Sequence, residues 1–76
     1  MERQPLEDKD NRMTGNLRSI GYDSEKEILE IEYTLGFIYQ YYSVPKSVYE
    51  KLMSEKNKIV FVQERISKQF RSQRIK

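Results

Sequence analysis

The sequence predicts an α+β fold: a three-stranded antiparallel β-meander followed by one or two α-helices packed on one face of the sheet. Apolar and polar residues alternate in the first half of the chain, and apolar residues recur at helical spacing in the second half. The predicted strands are joined by short connections, so consecutive strands should pair antiparallel. With 76 residues, the chain has the length of a single domain.

Residues 1–13 are predicted to be a disordered leader, and residues 14–76 a single domain. The leader is polar, contains Pro5 and has the period of neither a helix nor a strand. It is interpreted as a floppy terminus, with an arm that a partner orders as the alternative. It also lacks the apolar core of a secretory signal, so we expect a cytoplasmic protein.

Three strands are predicted, at residues 16–22, 28–34 and 37–43. The second has the clearest pattern, because Leu29, Ile31 and Tyr33 alternate with polar residues. The stretch 23–26 has the composition of a turn. Gly36 can adopt a positive φ, so it suits a tight connection before the aromatic third strand.

Two helices are predicted, at residues 45–56 and 60–73. Ser43 is a candidate N-cap, and proline at position 45 is tolerated in a first helical turn. Val62, Ile66 and Phe70 are spaced by four residues, which favours a helix for the second segment. Residues 59–62 are β-branched or aromatic and would also suit a short buried strand, so this boundary stays open.

The side chains available for chemistry are few, because the sequence contains no histidine, cysteine or tryptophan. Cys/His zinc sites, thiol nucleophiles and imidazole bases are therefore excluded. No glycine-rich phosphate motif is present. Glu30 and Glu32 would lie on one strand face about 7 Å apart, but nothing accompanies them as a distinct acid or base, and we interpret them as solvated. We predict a protein that is not an enzyme and has no cofactor and no metal.

The charge of the chain is distributed unevenly. Residues 1–32 contain nine acidic and five basic residues, a net charge of −4, whereas residues 33–76 contain three acidic and nine basic residues, a net charge of +6. No segment reaches the roughly 18 apolar residues of a spanning helix, so no membrane partner is expected.

The strongest functional signal is the basic tail, in which Arg65, Lys68, Arg71 and Arg74 recur every third residue. On a helix they would form a cationic band that could neutralise phosphates. The alternative is that these cations only complement the dipole at a helix C-terminus.

The six tyrosines offer aromatic surfaces on which nucleobases could stack, at about 1–3 kcal/mol per base. In a chain this poor in leucine and valine, however, Tyr33, Tyr39 and Tyr41 are expected in the core. Tyr42 points to the other face of its strand. Tyr42 and Tyr49 are therefore the candidates for contact with bases.

Several short segments follow one another in a recognisable order: Ile20-Gly21-Tyr22-Asp23, Leu29-Glu30-Ile31-Glu32-Tyr33, Gly36, the Y-x-Y motif Tyr39-Gln40-Tyr41, Val44-Pro45 and Val48-Tyr49-Glu50-Lys51-Leu52. This order resembles the KTSC domain, a short module named after the C-terminus of some lysyl-tRNA synthetases and also found as small bacterial and phage proteins. The sequence departs from the family pattern after the first helix, where Asn57-Lys58-Ile59 replaces a glycine-containing turn. The resemblance implies an α+β fold and, through the synthetases, binding of RNA.

Two functions are therefore expected from the sequence. The first is a small RNA-binding module that contacts phosphates through a basic C-terminal helix carrying Arg65, Lys68, Arg71 and Arg74. The alternative is a protein-interaction or self-associating accessory protein, of the kind that phages encode. It would bind a cellular protein, or a small nucleotide at an interface between copies in a homo-oligomer.

Overall fold

A computed structural model of the chain describes residues 2–5 and 17–76. Five antiparallel strands form one sheet in which their order follows the sequence. The strands are β1 (Glu2–Pro5), β2 (Leu17–Asp23), β3 (Ile28–Tyr33), β4 (Ile38–Tyr41) and β5 (Ser72–Arg74). Helix α1 (Lys46–Ser54) and a second helical segment lie between β4 and β5. The predicted α+β class and the central meander of β2, β3 and β4 are confirmed.

The meander buries the alternating residues that predicted it. Leu29 pairs with Tyr22 on one side and with Tyr41 on the other, and Ile31 lies in the equivalent position one pleat along. Residues directly opposite in antiparallel strands share a face, so these side chains form one apolar layer under the helices. Leu29 and Ile31 are completely buried there.

The two turns of the meander have the expected chemistry. The Asp23 side chain accepts hydrogen bonds from the backbone N–H groups of Glu25 and Lys26, at 3.0 and 3.2 Å. Such a side chain replaces a backbone partner in a turn. Gly36 has a φ of 98°, as its position predicts, and its N–H donates to the carbonyl oxygen of Tyr33 at 2.9 Å.

Helix α1 begins after Pro45, which is itself the N-cap. Ser43, which the sequence suggested as the cap, instead has a φ of 58° and reverses the chain at the end of β4. The buried Val44 that follows donates its N–H to the carbonyl oxygen of Glu27 at 2.9 Å. Leu52 is the buried residue of α1, and it packs the apolar side of the helix against the core.

The second helical segment, α2, comprises Lys58–Phe61, a π-helical turn at Val62–Ile66 and a last turn at Ser67–Gln69. The side chain of Asn57 caps its start by accepting from the N–H of Val60. Residues 59–61 belong to its first turn and Val62 begins the π-helical turn, so the boundary that the sequence left open at residues 59–62 is helical. Phe61 and Val62 are both buried. The apolar side of α2, which carries Val62 and Ile66, belongs to the core.

The predicted helix at residues 60–73 extends too far, so the expected basic C-terminal helix is wrong. The helix ends at Gln69, and Phe70 is already extended, with φ −123° and ψ 146°. The chain then forms β5, which pairs with β4. The N–H of Tyr42 donates to the carbonyl oxygen of Arg71 at 2.9 Å, so the outer backbone groups of the β4 strand gain partners that a longer helix would not supply.

The leader predicted at residues 1–13 is wrong for residues 2–5, which form β1 and pair antiparallel with β2 from Glu2 opposite Tyr22 to Pro5 opposite Ser19. Proline is accepted at the end of an edge strand, where its missing N–H costs no ladder bond. The rest of the predicted leader lies outside the described residues.

The tyrosines of the meander lie in or beside the core, as expected. Tyr41 is buried, and Tyr33 and Tyr39 are half-buried against it with their rings edge to face at 5.9 Å. Burial raises the pKa of Tyr33 well above its ordinary value of 10.0, and the neighbouring Tyr41 hydroxyl raises it further. Burial likewise raises the pKa of Tyr41.

Candidate nucleic-acid interface

An open groove of about 460 Å³ lies where β4 ends and β5 begins. Tyr42, Phe70 and Arg71 line it, together with the polar side chains of Gln69 and Gln73. The hydrogen bond between the Tyr42 N–H and the Arg71 carbonyl oxygen fixes the two strands at this point. Among the described residues, none that lines this groove carries a carboxylate. We call it the β4/β5 groove.

Tyr42 is held in the β4/β5 groove by side-chain hydrogen bonds. Its hydroxyl lies 3.2 Å from Oε1 of Gln40 and 3.4 Å from Oε1 of Gln73, and it can donate to either. The amide nitrogen of Gln40 donates in turn to a carboxylate oxygen of Glu30 at 3.1 Å. The ring of Tyr42 is therefore positioned before any ligand arrives, which reduces the entropy that a ligand must overcome.

Phe70 is a residue of this site that the sequence analysis assigned only to the apolar side of a helix. It is half-buried and lines both the β4/β5 groove and a second cavity of about 240 Å³ between α1 and α2. That second cavity also reaches Ile66 and Arg65. Its position directly before the predicted cation Arg71 is the one hint that the sequence offered.

Of the predicted cations, Arg71 lines the β4/β5 groove, whereas Arg65 and Lys68 do not. Arg65 and Lys68 are exposed on α2, and Arg71 is exposed just after it. Within residues 17–76, Lys51 and Glu55 form an ion pair at 3.8 Å, and Arg65, Lys68 and Arg71 form no ion pair. Their charge is therefore uncompensated by the part of the chain that the structure describes.

Arg74 lies elsewhere, on β5 opposite Tyr39. Its guanidinium lies 4.2 Å from the ring centroid of Phe37, and its Nε donates to the carbonyl oxygen of Lys76 at 3.1 Å. Side chains three residues apart on a strand point to opposite faces, so Arg71 and Arg74 are on different sides of the sheet. The four predicted cations do not form one band.

Tyr49 is not part of the β4/β5 groove. Its ring stacks on that of Tyr22, with centroids 4.6 Å apart and planes inclined by 7°. The hydroxyl of Tyr22 donates to the carbonyl oxygen of Val44 at 2.6 Å, which fixes the Tyr22 ring against Tyr49 of α1. One face of the Tyr49 ring is therefore occupied by packing.

The centre of the sheet face turned away from the helices is acidic and internally hydrogen-bonded. Glu30 is only 8% exposed, so the solvated position predicted for it is wrong. Ser19, which is 4% exposed, donates its hydroxyl to Glu32 at 2.8 Å. We call Ser19, Glu30, Glu32 and Gln40 the acidic centre.

Neither a metal centre nor a membrane span is found in the described part of the chain. Residues 2–5 and 17–76 contain no group of three or more acidic side chains that could hold a metal ion. In the same residues, no helix is both long enough and apolar enough to cross a bilayer.

Comparison with known proteins gives a consistent result. A family model described as the KTSC domain matches residues 13–70. The crystal structure of a KTSC domain protein from Yersinia pestis has a TM-score of 0.81 and 32% identity, and the match covers 99% of this chain and 97% of that one. An uncharacterized protein of Stutzerimonas stutzeri (strain A1501) is 45% identical over 40 residues, which are 53% of this chain and 56% of that protein. The chain thus matches little more than half the length of this relative.

Proposed function

The chain belongs to the KTSC domain family, and from this premise we propose that it is a small, non-enzymatic, cytoplasmic module that binds single-stranded RNA in the β4/β5 groove. The observation that carries the proposal is the convergence of Tyr42, Phe70 and Arg71 on one open groove, with no carboxylate among its described lining residues. Arg65 and Lys68 extend the positive charge along α2.

The chemistry of the groove suits an unpaired strand better than a duplex. Bases must be unstacked from one another to reach aromatic side chains, and each base stacked in this way contributes about 1–3 kcal/mol. Arg71 lies beside these rings and can contact the phosphate that joins two such bases.

Fluorescence anisotropy with a labelled single-stranded RNA, at low and moderate salt, tests the proposal. We expect affinity to fall with rising salt, because bound phosphates release counterions. Arg71→Glu should weaken binding by about tenfold or more at low salt, since it replaces a phosphate contact with repulsion. Lys56→Glu is the matched control, because it makes the same change in net charge at an exposed site outside the groove.

Equal loss of affinity in the Arg71→Glu and Lys56→Glu variants would show that RNA binding depends on the net charge of the protein and not on the groove. Unchanged affinity in Arg71→Glu would overturn the groove as the binding site. Single-stranded DNA of the same sequence, titrated in parallel, reports whether the 2′-hydroxyl contributes.

A protein-interaction function is the second candidate, and a different observation favours it. Leu35 is 79% exposed, Phe37 37% and Ile75 46%, and Ile75 pairs with Ile38, the residue after Phe37. Exposed apolar residues that lie together are typical of interaction sites. Leu35, Phe37 and Ile75 lie on the β3–β4 turn and beyond β5, away from the residues that line the groove.

A further inference from the structure

The outer edge of β5 presents backbone groups that no described strand pairs with. β5 is the last strand of the sheet. Towards β4, the carbonyl oxygen of Arg71 accepts from Tyr42, and the N–H of Ile75 donates to Ile38 at 2.8 Å. Hydrogen bonding alternates along an antiparallel pair, so Ser72 and Arg74 direct their own N–H and C=O groups outward.

Positive charge lies along the same edge and is held in place. Arg74 is fixed over the ring of Phe37 and by its hydrogen bond to the carbonyl oxygen of Lys76. Lys76 itself continues the ladder, because its carbonyl oxygen accepts from the N–H of Ile38 at 3.0 Å. No side-chain carboxylate of residues 17–76 forms an ion pair with Arg74 or Lys76.

The edge becomes apolar at its far end. Ile75 follows β5 and is 46% exposed, and Phe37 and Leu35 reach solvent from the neighbouring turn. Over residues 72–76, the edge thus offers backbone groups that no described strand pairs with, together with the cations Arg74 and Lys76 and, between them, the apolar side chain of Ile75.

We propose that the outer edge of β5 binds an extended acidic segment of a partner protein, which adds to the sheet as a further strand. Acidic side chains of the segment would lie beside Arg74 and Lys76, and an apolar side chain would cover Ile75. Pairing with an exposed edge is a common mode of peptide recognition, in which main-chain hydrogen bonds supply affinity and side chains supply specificity.

Charge decides between an acidic partner and a second copy of the chain. Two β5 strands placed edge to edge would bring the two sets of cations together, and like charges on paired strands are unfavourable. Cations on an edge strand are also a known protection against pairing between identical edges. An acidic strand converts the same charges into attractions. Binding at this edge does not depend on RNA binding in the β4/β5 groove.

Backbone amide exchange followed by NMR tests the proposal directly. The probe is a synthetic peptide in which glutamate and valine alternate. We expect the exchange of the Ser72 and Arg74 amides to slow by about tenfold at saturation, because only these amides gain a partner. The Gln73 amide, which faces β4, should not change. The matched controls are the same peptide with lysine for glutamate, and the same peptide N-methylated at alternate residues.

Two variants complete the test. Arg74→Glu should weaken peptide binding by about tenfold, whereas Lys56→Glu should leave it within about twofold. Ser72→Pro removes an outward N–H and should abolish binding while the Gln73 amide stays protected, because an edge strand accepts proline on its free side.

Equal protection by the lysine peptide or by the N-methylated peptide would overturn the proposal, since neither charge nor backbone pairing would then matter. Protection that grows with protein concentration in the absence of peptide would assign the edge to a second copy. Protection by single-stranded RNA instead of the peptide would assign it to nucleic acid. The groove variant Arg71→Glu separates this last outcome from RNA binding in the β4/β5 groove.

Discussion

Two polar regions lie on the same sheet and differ in how their polar groups are satisfied. In the acidic centre, the Ser19 hydroxyl donates to Glu32 and the Gln40 amide donates to Glu30, and Ser19 and Glu30 are almost inaccessible to solvent. In the β4/β5 groove, Arg71 is exposed and forms no ion pair with a carboxylate of residues 17–76.

This difference distinguishes polar groups that stabilise the fold from polar groups that can bind a ligand. A buried carboxylate that accepts hydrogen bonds contributes to stability, and removing it leaves its donor without a partner. An exposed cation with no partner contributes little to stability, and its interaction energy is free for a ligand. The acidic centre should therefore respond to mutation in folding, and the groove in binding.

The largest effect on stability is expected from Glu30→Ala in the acidic centre. The substitution removes the acceptor of the Gln40 amide in a nearly buried position, so the free energy of unfolding should fall by about 1–3 kcal/mol. Urea denaturation followed by circular dichroism measures it. Arg71→Glu serves as the comparison and should change stability by less than about 0.5 kcal/mol. A larger loss in Arg71→Glu than in Glu30→Ala would reverse the assignment of the two regions.

Alkaline pH should lower the free energy of unfolding by an amount between the effects of Glu30→Ala and Tyr42→Phe. The pKa of Tyr33 is raised above 10.0 in the folded chain by burial. The unfolded chain therefore loses the phenolic proton first, and the stability that is complete below about pH 10 should fall as the pH rises further.

Urea midpoints measured between neutral pH and pH values above the ordinary tyrosine pKa follow this loss. Tyr33→Phe should show a shallower decline in that range, because one titrating group is gone. An identical decline in both proteins would show that Tyr33 does not carry the effect.

The smallest effect is expected from Tyr42→Phe, which lies between the two regions. It removes a half-exposed hydroxyl that donates to Gln40 or Gln73, so stability should fall by about 0.5–1 kcal/mol. The aromatic ring remains, and RNA affinity should stay within about threefold. Tyr42→Ala is the companion variant, and its affinity should fall by about tenfold or more. Equal RNA affinities of the two variants would show that no base stacks on the ring of residue 42.

Local patterns were sufficient for the meander and insufficient for its edges. Leu29 and Ile31 alternate with polar neighbours, and the strand they predict depends on those neighbours alone. The strands β1 and β5 exist because the edges of β2 and β4 have backbone groups to satisfy, and a partner distant in sequence leaves no local period. The spacing of Val62 and Ile66 correctly indicated a helix, but it could not show that pairing with β4 would end that helix at Gln69.

The candidate site could be predicted only in part for the same reason. Strand alternation placed Tyr42 on the face away from the helices, and charge alone pointed to Arg71. Which aromatic residues meet these two depends on the crossing of α2 over the sheet, so Phe70 was missed. Tyr49 was chosen for its chemistry, and its stacking on Tyr22 is a tertiary contact.

The hydrogen bond between the Tyr42 N–H and the Arg71 carbonyl oxygen closes a long loop. Both helices lie between these two residues, so pairing of β5 with β4 joins the two ends of the segment that covers the core. Breaking this pairing would restore conformational freedom to the whole loop, because the entropy lost on loop closure is that of all its residues and not only of the two that pair. A ligand that holds β5 in place therefore slows the local unfolding of helices it never touches.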